Sequence, residues 1–205
     1  MKPRYWTKAT RELSARDPVL RKLIAQHKGI TLGSRGDAFQ TLARAIVGQQ
    51  ISVKAAQSVW DRFAAAHDMV TPPVIAASTV ETLRACGLSV RKSGYLLDLA
   101  SRFADGRLQA ARWTHLSDEA LIEELIQVKG IGRWTAEMFM IFNLTRPDIF
   151  PVGDLGLQKA ISVNYNRGRK PTLSRMYRIG ATWTPWRSVA TWYMWRSLDP
   201  IAVEY

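Results

Sequence analysis

The sequence predicts an all-α fold, and three observations carry the prediction. Apolar residues recur at three- and four-residue spacing along most of the chain, which places them on one face of a helix. Serine, threonine or aspartate often stands just ahead of such a run, where a side-chain oxygen can accept from first-turn amides. No segment shows the sustained alternation of apolar and polar residues that a half-buried strand needs. From these signals about nine to eleven short helices are expected.

Phe39, Leu42, Ala43, Ile46 and Val47 mark a helix that Asp37 can cap. Gly48-Gln49-Gln50 interrupts it, and Ser52 can cap a second helix with Val53, Ala56, Trp60 and Phe63 as its buried face. Thr71-Pro72-Pro73 is a loop able to start a short helix. Ser78-Thr79-Val80-Glu81 has the spacing of a capping box, and Gly87 suits the stop that follows. Ser89 opens a helix that runs to about Ala104, ahead of Asp105-Gly106. Ser117-Asp118-Glu119 starts another, with its acids at the positive end of the helix dipole. Further on, Phe150-Pro151-Val152-Gly153-Asp154 ends in a carboxylate that opens a helix. Thr184-Pro185 reads as a cap followed by proline at the first helical position, and that last helix runs to about Leu198, where Pro200 ends it. The segment Lys2–Gly36 is expected to pack with the C-terminal helices.

A chain of 205 residues can bury a core without covalent staples. The single cysteine, Cys86, excludes an internal disulfide, a cysteine-rich zinc site and an iron–sulfur cluster. His27, His67 and His115 lack metal-ligand spacing and read as surface or packed residues. Met1-Lys2-Pro3-Arg4-Tyr5-Trp6 has no apolar core of the signal-peptide kind, and no apolar run approaches the roughly 20 residues of a membrane span. An intracellular, cytoplasmic or nucleoid-associated protein is expected, with no membrane partner. The net charge is +12 and unevenly spread. Between Asp154 and Asp199 stand Lys159, Arg167, Arg169, Lys170, Arg175, Arg178, Arg187 and Arg196, with no acid among them. Such a stretch favours a polyanion, because each phosphate neutralised releases counterions; charge alone does not separate DNA from RNA or anionic lipid.

The most informative stretch is Val128-Lys129-Gly130-Ile131-Gly132-Arg133-Trp134-Thr135-Ala136, a tight turn with two glycines that opens a helix. Gly130 and Gly132 permit positive φ and close backbone approach, and Ile131 between them can plug into the core. The free amides of the next helix then face an anion such as a DNA phosphate. A plain helix–helix turn could carry the same two glycines, so the surroundings decide.

Those surroundings are specific. Leu125 to Ala136, followed by Pro151-Val152-Gly153-Asp154, resembles the helix-hairpin-helix DNA glycosylases, in the motif that ends with their catalytic aspartate. Arg44-Ala45-Ile46-Val47-Gly48-Gln49-Gln50-Ile51-Ser52-Val53 looks like the segment these enzymes push into the duplex. Trp186-Arg187-Ser188 through Trp195 looks like the last helix of their alkylpurine branch, the DNA-3-methyladenine glycosylase II family. Three motifs in order sample the chain from about residue 40 to its end.

The resemblance implies a two-lobed helical fold with the active cleft between the lobes. Residues of approximately 38–150 would form the central lobe with the hairpin, and 1–37 plus 151–205 the second. Residues 1 to about 36 are too few for the extra N-terminal β-rich domain of some members. It also implies a monomer acting on double-stranded DNA that contains damaged bases. Asp154 becomes the catalytic carboxylate, and Lys129, Gly130, Gly132 and Thr135 hold a DNA phosphate. Gln50 becomes the wedge that fills the gap left by a flipped base; relatives often carry an apolar residue there, and glutamine can also hydrogen-bond the orphaned base. Trp134 and Trp195 take the positions of the pocket aromatics, while Trp60, Trp113 and Trp192 read as core. Met138 falls where some relatives carry a ring, which bears on pocket shape and substrate range. No cofactor is required; a monovalent cation on the hairpin backbone is seen in the superfamily, and no metal is bound by side chains.

The chemistry follows from those assignments. A base inside a duplex is unreachable and must be flipped out. Alkylation at N3 or N7 puts positive charge on a purine, so it leaves readily, and a carboxylate stabilises the oxocarbenium character of the sugar. A tryptophan face attracts a desolvated cation by about 2 kcal/mol. In bifunctional members the second residue after the second glycine is a lysine that attacks the sugar; Gly132-Arg133-Trp134 puts a ring there, so simple hydrolysis without lyase activity is expected. 3-Methyladenine is the first substrate expected, then 7-methylguanine, with ethenoadenine and hypoxanthine behind. Two other readings use the same residues: a glycosylase for other damaged bases on this fold, and a non-enzymatic binder of damaged DNA. An RNA-binding helical module has no recognisable RNA motif in its favour.

Overall fold

The computed structural model describes residues 2–34 and 36–198. In chain order they form α1 (Trp6–Arg16), α2 (Pro18–Gln26), α3 (Ala38–Gly48), α4 (Val53–Ala65), α5 (Pro72–Ala76), α6 (Val80–Ala85) and α7 (Val90–Ala104). A 3₁₀ helix (Ala110–His115) then leads to α8 (Asp118–Leu125), α9 (Arg133–Phe142), α10 (Leu155–Tyr165), α11 (Leu173–Trp183) and α12 (Arg187–Arg196). The all-α expectation is met, and no strand occurs among the described residues. Twelve α-helices exceed the expected number. The additions α1 and α2 lie ahead of Asp37, and α1 begins without a side-chain cap, so its start carries no local signal.

The described residues fall into two compact units, 36–139 and 2–34 with 140–198, and the division lies within α9. In the first unit α7 packs against α3, α5 and α6. An edge-to-face chain of rings runs from Phe39 to Phe103 (5.5 Å), on to Trp113 (5.7 Å) and to Phe139 (5.3 Å). The Trp113 indole N–H donates to Glu124 at 2.7 Å, which satisfies the polar edge of a fully buried ring.

The second unit is built around α12, whose residues from Ser188 to Met194 are all buried. α1, α2, α10 and α11 pack on it, so the N-terminal segment does join the C-terminal helices. Trp6 meets Trp192 edge-on at 5.3 Å, and Tyr5 stacks on Trp186 at 5.7 Å. Asp17 ties this unit together. Its Oδ1 accepts from the amides of Val19 and Leu20 and so caps α2, while Oδ2 accepts from the Tyr165 hydroxyl (2.7 Å) and the Trp183 indole (3.2 Å). Burial and the adjoining carboxylate push the Tyr165 phenol well above its ordinary value.

The caps expected at Asp37, Ser52, Ser89, Ser117 and Asp154 all accept first-turn amides. Four expectations need correction. The cap of α6 is Thr79, one residue later than the capping box starting at Ser78; Ser78 Oγ instead bonds to Val74 and His67. Val53 is exposed, because α4 enters the core only from its second turn on, at Val59, Trp60 and Phe63. Thr184 ends α11 rather than opening the last helix, and Thr184–Pro185 is a cis peptide. The first amides of α12 find their acceptors elsewhere in the chain: Arg187 N–H donates to Asp148 (3.1 Å) and Ser188 N–H to the carbonyl of Pro147 (3.0 Å). The fourth concerns the basic stretch. Arg187 is paired with Asp148 and Arg196 is buried over Trp192, so six of the eight cations remain on the surface. The proposed stop at Pro200 lies outside the described residues.

Replacing Asp17 by alanine removes a cap and strands two buried aromatic donors, so a loss of about 3 kcal/mol is expected. Asp37→Ala, at an exposed cap, is expected to cost about 1 kcal/mol. Denaturant midpoints of the two variants check the difference.

Candidate active site

The turn after α3 comes first along the chain. α3 stops at Gly48, and Gln50 follows with a left-handed backbone (φ +59). Holding a non-glycine residue there costs about 1–3 kcal/mol, and such strain persists where surrounding contacts over-determine it. Those contacts are present. The Lys92 ammonium donates to the carbonyls of Val47 (2.8 Å) and Gln49 (2.6 Å), closing the C-terminus of α3. Burial lowers the pKa of this amine, and its two carbonyl acceptors offset the cost of desolvating it. Gln49 Nε2 in turn donates to the carbonyl of Gly130 at 2.8 Å. Gln50 itself is exposed.

In the hairpin, Gly130 takes φ +84, and a Cβ there would lie 2.1 Å from the Tyr95 ring. Of the two glycines expected to permit positive φ, only Gly130 uses it. A Cβ on Gly132 would meet nothing within 4 Å, so no neighbour in the chain requires glycine there. Ile131 is buried as a plug, 4% exposed. Lys129 is exposed at its side chain, while its amide donates to Asp98 at 2.9 Å. Thr135 is largely buried in the first turn of α9. Trp134 is 42% exposed, and Met138, one turn later on the same helix, is buried.

Asp154 is the N-cap of α10, 8% exposed. Its Oδ1 accepts from the Leu157 amide (2.6 Å) and from the Trp195 indole (2.8 Å). One oxygen thus takes both a main-chain and an aromatic donor, and this fixes the plane of the carboxylate. Trp195 stacks on Phe142 at 5.6 Å with planes 16° apart. The indole crosses the start of α10 above Gly156, where a Cβ would come within 3.1 Å of Asp154 Oδ1 and 3.3 Å of Trp195. The structure therefore brings Asp154 and Trp195 together in one unit, and Gln50 and the hairpin together in the other. Among the eight tryptophans six are buried, and the remaining two are Trp134 and Trp195. No cluster of three metal-ligating side chains occurs among the described residues.

Sequence reasoning missed Gln49, Lys92, Tyr95, Phe142 and Gly156. Two of these carried a signal. A lysine in the first turn of α7 sits at the wrong end of the dipole for its own helix, and here it serves the C-terminus of α3. A glycine in the first turn of α10 costs helix stability and marks a close approach. Phe142 and Tyr95 carry no such mark, since a ring at helical spacing reads as core.

The family described as HhH-GPD superfamily base excision DNA repair protein matches residues 43–185. DNA-3-methyladenine glycosylase 1 of Schizosaccharomyces pombe is 33% identical over 198 residues, 89% of this chain and 87% of that protein. A putative DNA-3-methyladenine glycosylase of Bacillus subtilis is 31% identical over 177 residues, 82% of this chain; the chain spans 62% of that relative's length. The structure of the Schizosaccharomyces pombe 3-methyladenine DNA glycosylase with abasic DNA superposes with a TM-score of 0.80 at 31% identity, over 97% of this chain and 99% of that one. A DNA-3-methyladenine glycosidase from Bacillus halodurans gives 0.79 at 32% identity, over 92% and 93%.

The two hairpin glycines are expected to separate on substitution. Gly130→Ala forces a side chain into a left-handed backbone and into Tyr95, with a loss of about 2–5 kcal/mol. Gly132→Ala should change stability by no more than about 0.5 kcal/mol, while adding a methyl where a phosphate would meet the backbone. Thermal melting with duplex-DNA titration checks this: a Gly132 variant that binds as well as wild type counts against the cradle.

Proposed function

The chain belongs to the HhH-GPD superfamily of base excision DNA repair proteins, and on that premise we propose that it is a monofunctional DNA glycosylase for alkylated purines. The observation that carries the reading is Asp154: a buried carboxylate held by the Leu157 amide and the Trp195 indole, at the family's motif position. The relatives' names, which specify 3-methyladenine, support 3-methyladenine as first substrate; 7-methylguanine is proposed second because alkylation at N7 gives the purine the same positive charge.

The substrate base is flipped out of the duplex, and Gln50 fills the space it leaves. The hairpin amides, with Lys129, Gly132 and Thr135, hold the phosphate backbone. The C1′–N bond breaks with its electron pair going to the cationic purine, which leaves neutral. The sugar becomes cationic in its place, and the Asp154 carboxylate stabilises that charge. Water adds to C1′ and gives up a proton, leaving an abasic site. Trp134 and Trp195 offer electron-rich faces to the cationic base, an attraction of about 0.5–2 kcal/mol per ring. Trp134 has no amine to offer C1′, so no Schiff base forms at that position. A monovalent cation at the hairpin would be held by backbone carbonyls; those of Val128 and Gly130 already accept from Ile131 N–H and Gln49, and each keeps a second lone pair.

Two experiments test the reading. Wild type should release 3-methyladenine from methylated duplex DNA, and Asp154→Asn should be slower by at least about 100-fold. Binding without release by wild type would make the protein a binder of damaged DNA; equal rates would remove Asp154 from the mechanism. Borohydride during turnover should trap no covalent protein–DNA adduct, and a trapped adduct would mean lyase chemistry from another amine.

A further inference from the structure

Four residues of the first unit form a closed circuit around Gln50. Lys92 holds the carbonyls of Val47 and Gln49, and the Gln49 side chain holds the carbonyl of Gly130. Gly130 lies against the ring of Tyr95, and Tyr95 stands one turn beyond Lys92 on α7. The circuit is continuous from α7 through the end of α3 to the hairpin and back to α7. A groove of about 490 Å³ runs beside it, lined by Gln49, Gln50, Arg91, Lys92, Tyr95 and Gly130 among others.

We propose that Lys92 is a positioning residue that, through Gln49, fixes the Gln50 wedge at a set distance from the phosphate-binding hairpin. The proposal rests on the glycosylase reading and deepens it. Neither Lys92 nor Gln49 bonds to Asp154 or Trp195 in the interactions described above, and their effect is on extruding the base, before the C1′–N bond breaks. The left-handed backbone of Gln50 is the feature that needs such a mount. It lies outside any helix, directly after two carbonyls, those of Val47 and Gln49, that one ammonium holds together. The Gln49 amide adds the second fixed point, so the wedge and the hairpin move as one part.

The two steps can be separated by the substrate. A lesion paired in duplex DNA must be extruded before it reacts, whereas a lesion in an unpaired bubble of the same duplex needs little extrusion. Lys92→Met keeps the length and apolar stem of the side chain and removes its donors. It should lower 3-methyladenine release from the paired duplex by about tenfold or more, while release from the bubble stays within about twofold of wild type. Gln49→Met, at a half-buried position, breaks the other end of the circuit and should give the same split. It carries the test should Lys92→Met not fold, with circular-dichroism melting as the check. Equal losses on both substrates, or no loss on either, overturn the proposal. A wild type that releases no methylated purine from either substrate overturns the glycosylase reading, and the proposal with it.

Discussion

First-turn amides without partners are the constraint that shapes this protein. A chain cut into twelve short helices, among the described residues, exposes a new set of donors at every start. Eight helices close with an oxygen of their own cap residue: Asp17, Asp37, Ser52, Thr79, Ser89, Ser117, Asp154 and Thr172. Each cap contributes about 1 kcal/mol, and their sum is comparable with the whole margin of stability of an ordinary domain. The acid proposed for chemistry is one of these caps. Its placement therefore needs no special scaffold, because the fold holds Asp154 for the same reason that it holds Ser52 or Ser117.

Asp17 and Asp154 show how little separates a carboxylate that only holds the core from one proposed for chemistry. Both are buried aspartate caps, and both accept from an indole. Asp17 spends its second oxygen on the Tyr165 hydroxyl, inside a core of rings. Asp154 takes its amide and its indole on one oxygen, beneath an indole that passes over a helical glycine. Gly156 is the local sign of the difference. It gives up helix propensity so that Trp195 can lie close to the carboxylate, and nothing comparable follows Asp17, where Pro18 begins the helix.

What could be read from the sequence follows the range of the interaction. Asp37, Ser52, Ser89, Ser117 and Asp154 bond to amides three residues on, so their caps were legible. The start of α12 was not, because its acceptors, Asp148 and the carbonyl of Pro147, lie about forty residues back in the chain, far outside any local window. The same helix is buried on nearly every side, which removes the one-sided pattern that locates a helix on a surface. Lys92 belongs with these cases, since its charge makes sense only beside the end of α3. Trp134 and Trp195 are singled out among the eight tryptophans by motif position, and the other six are buried.

The exposure of Trp134 is itself an argument about substrate. An indole left 42% exposed forgoes part of the gain that burial gives its six counterparts. A face of that kind interacts more strongly with a flat cation than with a neutral base, because the ring quadrupole adds electrostatic attraction to stacking. The bond to be broken discriminates in the same direction. A neutral purine leaves as an anion unless an acid protonates it, whereas an alkylated purine already carries its charge, and every 1.36 kcal/mol of that difference is about tenfold in rate. A carboxylate that only stabilises the sugar cation is sufficient for the charged base and insufficient for the ordinary one. On the proposed mechanism, selectivity against undamaged DNA comes from the proton that Asp154 does not supply.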